Sequence, residues 1–247
     1  MKSRDVPVVL IHGVGLDHSM WFPVMAALTH RRTIAYDMIG HGGAPKPLGP
    51  YNLQTFVDQL TSIVDALDCE IDLVGFSMGA LVAQSYALSA GGDRTRRMVL
   101  LNGVHDRTVD ERQAILSRVD EVRTGGFAAT VEPALQRWFT PAFSDAHRDV
   151  ISSVRQRLLD NDVRAYADAY EVFATADAEL KDRVAEIRQP TLVATGDDDQ
   201  RSTPSMATAL AEALPSACAV ILPGLRHLTP LEAPVAVATM IDDFTID

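Results

Sequence analysis

Short apolar runs alternate with longer stretches of helical periodicity along the first hundred residues of the chain. The run at 7–11 is apolar throughout, as expected for a strand that is covered on both faces. In 52–67, apolar side chains recur every three or four residues, which predicts an amphipathic helix capped by Asn52. Further strands are predicted at 33–36, 71–74 and 98–101. This alternation is typical of a mostly parallel sheet with helices on both faces.

The pattern changes between residues 105 and 186, where β-branched runs disappear and helix-forming residues dominate. Thr108 and Glu111 have the spacing of a capping box at the start of a helix. Strand–helix alternation then resumes, with predicted elements at 191–195, 218–222 and 235–244. We therefore expect an α/β core formed by 1–104 and 187–247, with 105–186 inserted as a helical cap.

Composition and charge exclude several classes of protein. The net charge of −11 disfavours a nucleic-acid partner, because phosphate contacts require clustered Lys and Arg. No apolar run reaches the roughly 18 residues that a membrane span needs. The first residues carry no apolar signal-peptide core, so we expect a cytoplasmic protein without a membrane partner. Cys69 and Cys218 are too few for a disulfide framework and are expected to be buried, reduced thiols.

The segment 75–79 carries the motif G-x-S-x-G directly after a predicted strand and before a helix-like stretch. In that context the motif is typical of a nucleophile elbow, a strained turn that exposes a serine hydroxyl at the end of the sheet. Ser77 is therefore the candidate nucleophile.

A serine hydroxyl needs a base, and the base needs a carboxylate that fixes its tautomer. His227 lies just after the last predicted strand, at the edge of the sheet where the serine is expected, although a surface-loop histidine is the alternative. Asp199 is the preferred carboxylate, with Asp198 second and Asp106 third. The order serine, aspartate, histidine is the one expected on an α/β-hydrolase sheet.

An oxyanion formed at the reacting carbonyl requires two N–H donors, for which the backbone amides of Val14 and Met78 are the candidates. His12 is expected to be a structural hydrogen-bonding residue beneath the Val14 loop. A dinucleotide-binding loop is disfavoured because His18 stands where its third glycine would be. His12 and His41 lack a suitably spaced third ligand, so we expect no metal site.

These segments together resemble the α/β-hydrolase superfamily over nearly the whole chain. The matching segments are 12–15, 37–42, 75–79, 196–204 and 224–232. Within the superfamily, 137–141 resembles 3-oxoadipate enol-lactonases and related small carboxylesterases. The resemblance implies an α/β-hydrolase fold that lacks the two usual N-terminal strands. It also implies a serine hydrolase that cleaves a small ester or (enol-)lactone through an acyl-enzyme, without metal, flavin or nucleotide.

The residues expected near the substrate are aromatic or apolar, and ordinary core packing is the alternative for the aromatic ones. They are Phe76, Trp138, Phe139 and Leu228. An anionic enol-lactone would also require a cation in the pocket. The cap offers Arg123, Arg137 and Arg155 for this role.

Three alternative functions use the same fold. A carbon–carbon bond hydrolase is disfavoured because Leu228 follows the histidine where such relatives commonly carry tryptophan. A perhydrolase and a non-catalytic ligand-binding protein are the others. Relatives that carry an aspartate nucleophile are disfavoured by Ser77 itself. Because the strand at 33–36 is an expected unprotected edge, we also expect some homodimer, which a strictly monomeric species in light scattering would contradict.

Overall fold

The computed structural model describes residues 5–246, which form a six-stranded sheet in the order β2-β1-β3-β4-β5-β6. Every pairing between neighbouring strands is parallel. The strands are β1 (Val8–Ile11), β2 (Thr33–Tyr36), β3 (Ile71–Phe76), β4 (Thr95–Leu101), β5 (Thr191–Gly196) and β6 (Ala217–Leu222). The strand order reverses between β1 and β3, and in such sheets ligands bind beyond the carboxyl ends of the strands near the reversal.

Helices cover the sheet, and five of them fall between β4 and β5 in the stretch expected to be a cap. The helices are α1 (Phe22–Ala27), α2 (Leu53–Leu67), α3 (Met78–Ala87), α4 (Val109–Glu121), α5 (Phe127–Trp138), α6 (Pro141–Ala146), α7 (Arg148–Leu159), α8 (Val163–Leu180), α9 (Pro204–Ala213), α10 (Thr229–Glu232) and α11 (Pro234–Thr245). The predicted caps at Asn52 and Thr108 are confirmed, each as a reciprocal capping box. Within residues 5–246 no helix is both long and apolar enough to cross a bilayer.

Side chains of β1 alternate between two apolar cores, one on each face of the sheet. Val9 and Ile11 pack in the core that contains α2, α3 and most of α8. Val8 and Leu10 pack in the other core, with Trp21 and with apolar residues of α5, α7 and α11. Helices between β4 and β5 therefore contribute to both cores.

Strand β3 carries a charged side chain into the protein interior, because Asp72 is fully buried. Its carboxylate pairs with Arg31 at 2.7 Å and with Arg96 at 2.8 Å. Burial raises the pKa of Asp72, and the two guanidinium groups oppose that shift. The sequence predicted a strand only from residue 98 onward. Since β4 already begins at Thr95, Arg96 lies inside the strand beside its partner.

The expectation of two buried cysteines is wrong. Cys218 is exposed, because β6 is the last strand of the sheet and has no neighbour on its outer side. Cys69 is only partly buried, since it lies in the turn that leads from α2 into β3. Both thiols are free.

Candidate active site

The turn between β3 and α3 holds Ser77 in a conformation that few non-glycine residues adopt, with φ 54° and ψ −113°. The turn is tight on both sides of the serine. A Cβ atom at position 75 would lie 2.3 Å from the carbonyl oxygen of Gly79, and one at position 79 would lie 2.5 Å from that of Ile11. Both glycines of the motif are therefore required by close backbone contact, and the strained residue between them is the serine.

Ser77 Oγ lies 3.2 Å from His227 Nε2, and His227 Nδ1 lies 2.7 Å from Asp199 Oδ2. Because a carboxylate only accepts hydrogen bonds, Nδ1 carries the proton of a neutral imidazole and Nε2 presents its lone pair to the serine hydroxyl. The three residues are 3%, 7% and 4% exposed. The structure therefore brings together the three side chains that the sequence singled out, in the order of a proton relay.

Each oxygen of the Asp199 carboxylate accepts at least two hydrogen bonds. Oδ2 also accepts from Asn102 Nδ2 at 2.9 Å, and Oδ1 accepts from the backbone N–H groups of Arg201 and Ser202, each at 3.0 Å. Burial alone would raise the pKa of Asp199. The His227 ring and these donors outweigh burial, so the pKa of Asp199 lies below its usual range.

The other two carboxylates considered from sequence lie elsewhere. Asp198 pairs with Arg226 at 2.7 Å, and Asp106 pairs with Lys181 at 3.2 Å on the surface. Asp199 is therefore the member of this set that contacts His227.

Asn102 was not predicted from the sequence to be part of the site. It lies directly after β4, at the carboxyl edge of the sheet, and adopts φ 48°. Its amide nitrogen donates to Asp199, while its Oδ1 accepts from the Thr229 hydroxyl at 2.6 Å. The sequence did contain one indication of this role, since Asn102 is a polar residue directly after the strand that pairs with β3.

The two candidate oxyanion donors occupy the expected backbone positions. Val14 lies in the loop after β1 and lines the same cavity as Ser77, and Met78 is the first residue of α3. Neither N–H donates to another group within residues 5–246. In this part of the chain both amides are thus without a protein acceptor.

His12 supports the Val14 loop from below, as the sequence suggested. Its Nδ1 donates to the Gly13 carbonyl at 2.8 Å, and its Nε2 accepts from the Met38 amide at 2.9 Å. Burial lowers the pKa of His12 to about 4. Both ring nitrogens of this neutral imidazole are engaged, so neither has a lone pair left for a metal.

Ser77 and His227 line a cavity of about 100 Å³ that also receives Trp138 from α5. The Trp138 ring centroid lies 6.1 Å from that of His227. The other three residues considered for substrate contact, which are Phe76, Phe139 and Leu228, are fully buried in the core and do not line this cavity. Their position favours the packing role for all three.

One of the three arginines that the sequence offered as a pocket cation faces the cavity. Arg137 lies in its lining, on the same helix as Trp138. Arg123 pairs with Glu171 at 2.5 Å, and Arg155 pairs with Glu132, both at partly exposed positions away from the cavity.

A separate group of potential metal ligands is occupied by protein donors. Atoms of Asp17, His18 and Asp37 lie within 4.8 Å of one another. Asp37 Oδ1 accepts from the backbone N–H of His18 at 2.8 Å and lies 2.7 Å from its Nδ1, and Asp17 pairs with Arg157 at 2.6 Å. These contacts account for the cluster without an ion.

Comparison with known proteins agrees with this geometry. Residues 8–240 match the profile described as "Alpha/beta hydrolase family". The chain is 34% identical over 237 residues to the (E)-2-((N-methylformamido)methylene)succinate hydrolase of Acinetobacter baylyi, an alignment that covers 94% of this chain and 88% of that protein. It is 27% identical to 3-oxoadipate enol-lactonase 2 of the same organism, over 95% of this chain and 86% of that one.

The crystal structure of the enol-lactonase from Burkholderia xenovorans LB400 superimposes with a TM-score of 0.88, at 30% identity, and covers 97% of this chain and 91% of that one. The chain belongs to the α/β-hydrolase family. It is a hydrolase by family, and its fold and its similarity to enol-lactonases are as the sequence predicted.

Proposed function

We propose that this hydrolase is a serine enzyme that cleaves a carboxylic ester or a lactone of a small molecule through an acyl-enzyme intermediate. The observation that carries the proposal is the contact of Ser77 Oγ with His227 Nε2, continued by Nδ1 to Asp199. A serine hydroxyl at a strained turn that lines a cavity, with a base in reach and a carboxylate behind that base, is the arrangement that nucleophilic acyl transfer needs.

In the first half-reaction Ser77 Oγ attacks the carbonyl carbon while His227 Nε2 takes the hydroxyl proton. The imidazolium that forms is stabilised by the Asp199 carboxylate, which remains ionised. Negative charge moves to the carbonyl oxygen, where the Val14 and Met78 N–H groups donate to it. His227 then gives its proton to the leaving oxygen, the carbon–oxygen bond breaks, and the acyl group stays on Ser77.

In the second half-reaction a water molecule takes the place of the leaving alcohol. His227 removes a proton from this water, whose oxygen attacks the acyl carbon and forms a second tetrahedral oxyanion at the same two amides. Collapse of this intermediate breaks the bond to Ser77, which recovers its proton from His227. The products are a carboxylic acid and the free enzyme. In a lactone both product groups remain on one molecule.

The relatives support a small organic substrate. One is named for hydrolysis of an N-methylformamido-methylene succinate, and the other for a 3-oxoadipate enol-lactone. Both names describe molecules of a size that a small, partly enclosed cavity accepts.

We also propose that 105–186 acts as a cap that completes the substrate site. Residues from α4, α5 and α8 line the cavity opposite Ser77, with Ile115, Trp138 and Tyr166 as one example from each helix. Without these helices the relay would lie open at the edge of the sheet. The cap is therefore expected to select the substrate, while the sheet edge supplies the chemistry.

The test is a screen of p-nitrophenyl esters, lactones and ring-fission products against wild type and Ser77→Ala. We expect turnover of at least one ester or lactone, with kcat in Ser77→Ala lower by at least about 1,000-fold. The matched control is Ser62→Ala on the surface of α2, which should keep wild-type turnover. Equal turnover by wild type and Ser77→Ala would exclude Ser77 as the nucleophile.

The same screen separates the alternatives. A carbon–carbon bond hydrolase would prefer the ring-fission products to simple esters. A perhydrolase would oxidise a halide or dye only when peroxide is added. A ligand-binding protein would bind a compound tightly with negligible turnover.

A further inference from the structure

The cavity beside Ser77 is rich in positive charge, although the chain as a whole carries −11. Four arginines and two carboxylates line it, namely Arg107, Arg118, Arg137, Arg201, Glu111 and Asp199. Arginine side chains gathered in a partly enclosed space repel one another unless anions lie between them. The partners of each charged group therefore decide whether the cavity is balanced.

Three of these groups are neutralised or engaged within the protein. Arg107 pairs with Asp177 at 2.7 Å, and both side chains are almost fully buried. Glu111 closes the capping box of α4, where it accepts from the backbone N–H of Thr108 at 2.7 Å. Asp199 is saturated by its own donors in the relay.

Arg137 and Arg118 are not balanced in this way. Within residues 5–246, Arg137 makes no hydrogen bond and no ion pair, and Arg118 donates from Nε to the neutral Tyr170 hydroxyl at 3.2 Å without an acidic partner. Burial, and then the nearby charges of Arg118 and Arg201, lower the pKa of Arg137. A half-buried guanidinium close to two other cations, with no carboxylate of its own, is costly unless a ligand supplies the negative charge.

The position of Arg137 links this charge to the reaction. It precedes Trp138, whose ring lies 6.1 Å from that of His227, and both side chains line the cavity that contains Ser77. A substrate bound at Ser77 therefore shares the cavity with the unpaired guanidinium. The planar fork of an arginine matches the two oxygens of a carboxylate in a bidentate contact.

We propose that the substrate carries a free carboxylate in addition to the bond that is cleaved, and that Arg137, assisted by Arg118, binds this carboxylate from the cap. The proposal rests on the serine hydrolase function proposed above. It narrows the substrate class to half-esters and carboxylated lactones, and it makes Arg137 a specificity-determining residue. The arginine binds the remote carboxylate and takes no part in bond cleavage.

The first experiment compares two esters of equal chain length, monomethyl adipate with a free carboxylate and methyl hexanoate without one. We expect wild type to prefer the carboxylated ester in kcat/KM. Arg137→Gln should lower kcat/KM for monomethyl adipate by about 10- to 100-fold, the range of one hydrogen-bonded charge, and leave methyl hexanoate within about twofold. Arg137→Lys should recover part of the loss, because it restores the charge without the fork.

Arg155→Gln is the matched control, since Arg155 is a cap arginine that pairs with Glu132 away from the cavity. It should leave both esters unchanged. Equal losses on both esters in Arg137→Gln, or no preference in wild type, would overturn the proposal.

A binding measurement gives an answer that does not depend on turnover. The melting temperature of Ser77→Ala is measured with either ester at saturating concentration, alone and in combination with Arg137→Gln. Monomethyl adipate should stabilise Ser77→Ala and lose this effect in the double variant. Absence of a shift with monomethyl adipate would overturn the carboxylate site.

The outcomes separate the two proposals. Ester turnover that survives in Ser77→Ala contradicts the serine mechanism. Turnover that requires Ser77 but ignores the carboxylate and Arg137 contradicts this inference alone.

Discussion

Asp199 depends on its donors as much as His227 depends on Asp199. The carboxylate is buried, and burial by itself favours the protonated acid, which could not hold the imidazolium. Asn102 supplies one of the hydrogen bonds that keep it ionised, and Thr229 in turn orients the Asn102 amide. The hydrogen-bonded chain that begins at Ser77 is therefore longer than three residues.

Replacing Asn102 by alanine removes this donor and leaves the carboxylate less well oriented. We expect Asn102→Ala to lower kcat/KM for the best ester by about tenfold, the lower end of the value of a hydrogen bond to a charged group. Asn52→Ala is the control, because its amide caps α2 away from the cavity. The control should reduce stability by about 1 kcal/mol and leave kcat/KM unchanged. Full activity in Asn102→Ala would show that Asp199 needs no such support.

The sequence was sufficient to predict that the side chains of Ser77, His227 and Asp199 lie together. Their positions follow from one rule, that loops after parallel strands open at the same edge of the sheet. Asn102 could not be assigned in the same way. Its role depends on the pairing of β4 with β5 and on a backbone φ of 48° at Asn102. Neither can be predicted from the sequence pattern.

The loop that carries His227 is attached to the end of α5, one of the helices that we propose as the cap. Arg226 Nη1 donates to the carbonyls of Gln136 at 2.8 Å and Phe139 at 3.1 Å, and the Leu228 amide donates to Trp138 O at 3.0 Å. The last carbonyls of a helix have no partner within the helix, so they are available for these contacts. The two residues that flank His227 in sequence thus tie the base to the element that contributes Trp138 to the cavity.

Arg226→Ala removes the guanidinium part of this attachment. We expect kcat to fall by about tenfold, since a small displacement of His227 from Ser77 is enough to slow proton transfer. Asp198→Asn keeps the contacts of Arg226 with α5 and removes a partly exposed ion pair, so its kcat should stay within about twofold of wild type. Steady-state kinetics measures kcat for both variants, and melting temperatures check that they fold. Unchanged kcat in Arg226→Ala would mean that the cap does not position the base.

Most elements could be predicted from periodicity and capping, whereas side-chain direction could not. The bounds of α2 follow from Asn52 and its apolar spacing. Phe139 and Leu228 were expected near the substrate, but both side chains lie in the core and do not line the cavity. Whether such a residue faces the cavity or the core depends on how α5 packs on the sheet, which the chain pattern does not specify.

The fold buries several ionisable groups, and two of them couple its stability to pH. Burial lowers the pKa of His12 to about 4 and that of His41 to about 3, from an ordinary value of 6.5. Their rings lie 5.1 Å apart beneath the Val14 loop. In the unfolded chain both take up a proton near pH 6.5, so between that pH and about 4 the unfolded state binds more protons than the folded state.

Stability should therefore fall as pH drops below about 6.5, with each histidine contributing on the order of 1 kcal/mol per pH unit. Urea unfolding at pH 7.5, 6 and 5 measures this slope. His41→Asn should be less steep by about one proton, and the measurement at pH 7.5 is the control because both histidines are then neutral in either state. An unchanged slope in His41→Asn would contradict the buried, neutral assignment.

The proposed mechanism depends most on the identity of the nucleophile, and covalent trapping tests that identity directly. A fluorophosphonate reacts with an activated serine and leaves the phosphonyl group on its oxygen as fluoride departs. Intact mass spectrometry of wild type should show a single adduct, and peptide mapping should locate it on Ser77. Ser77→Ala should remain unlabelled under the same conditions, and His227→Gln should react far more slowly. An adduct on any other residue, or equal labelling of Ser77→Ala, would contradict the relay.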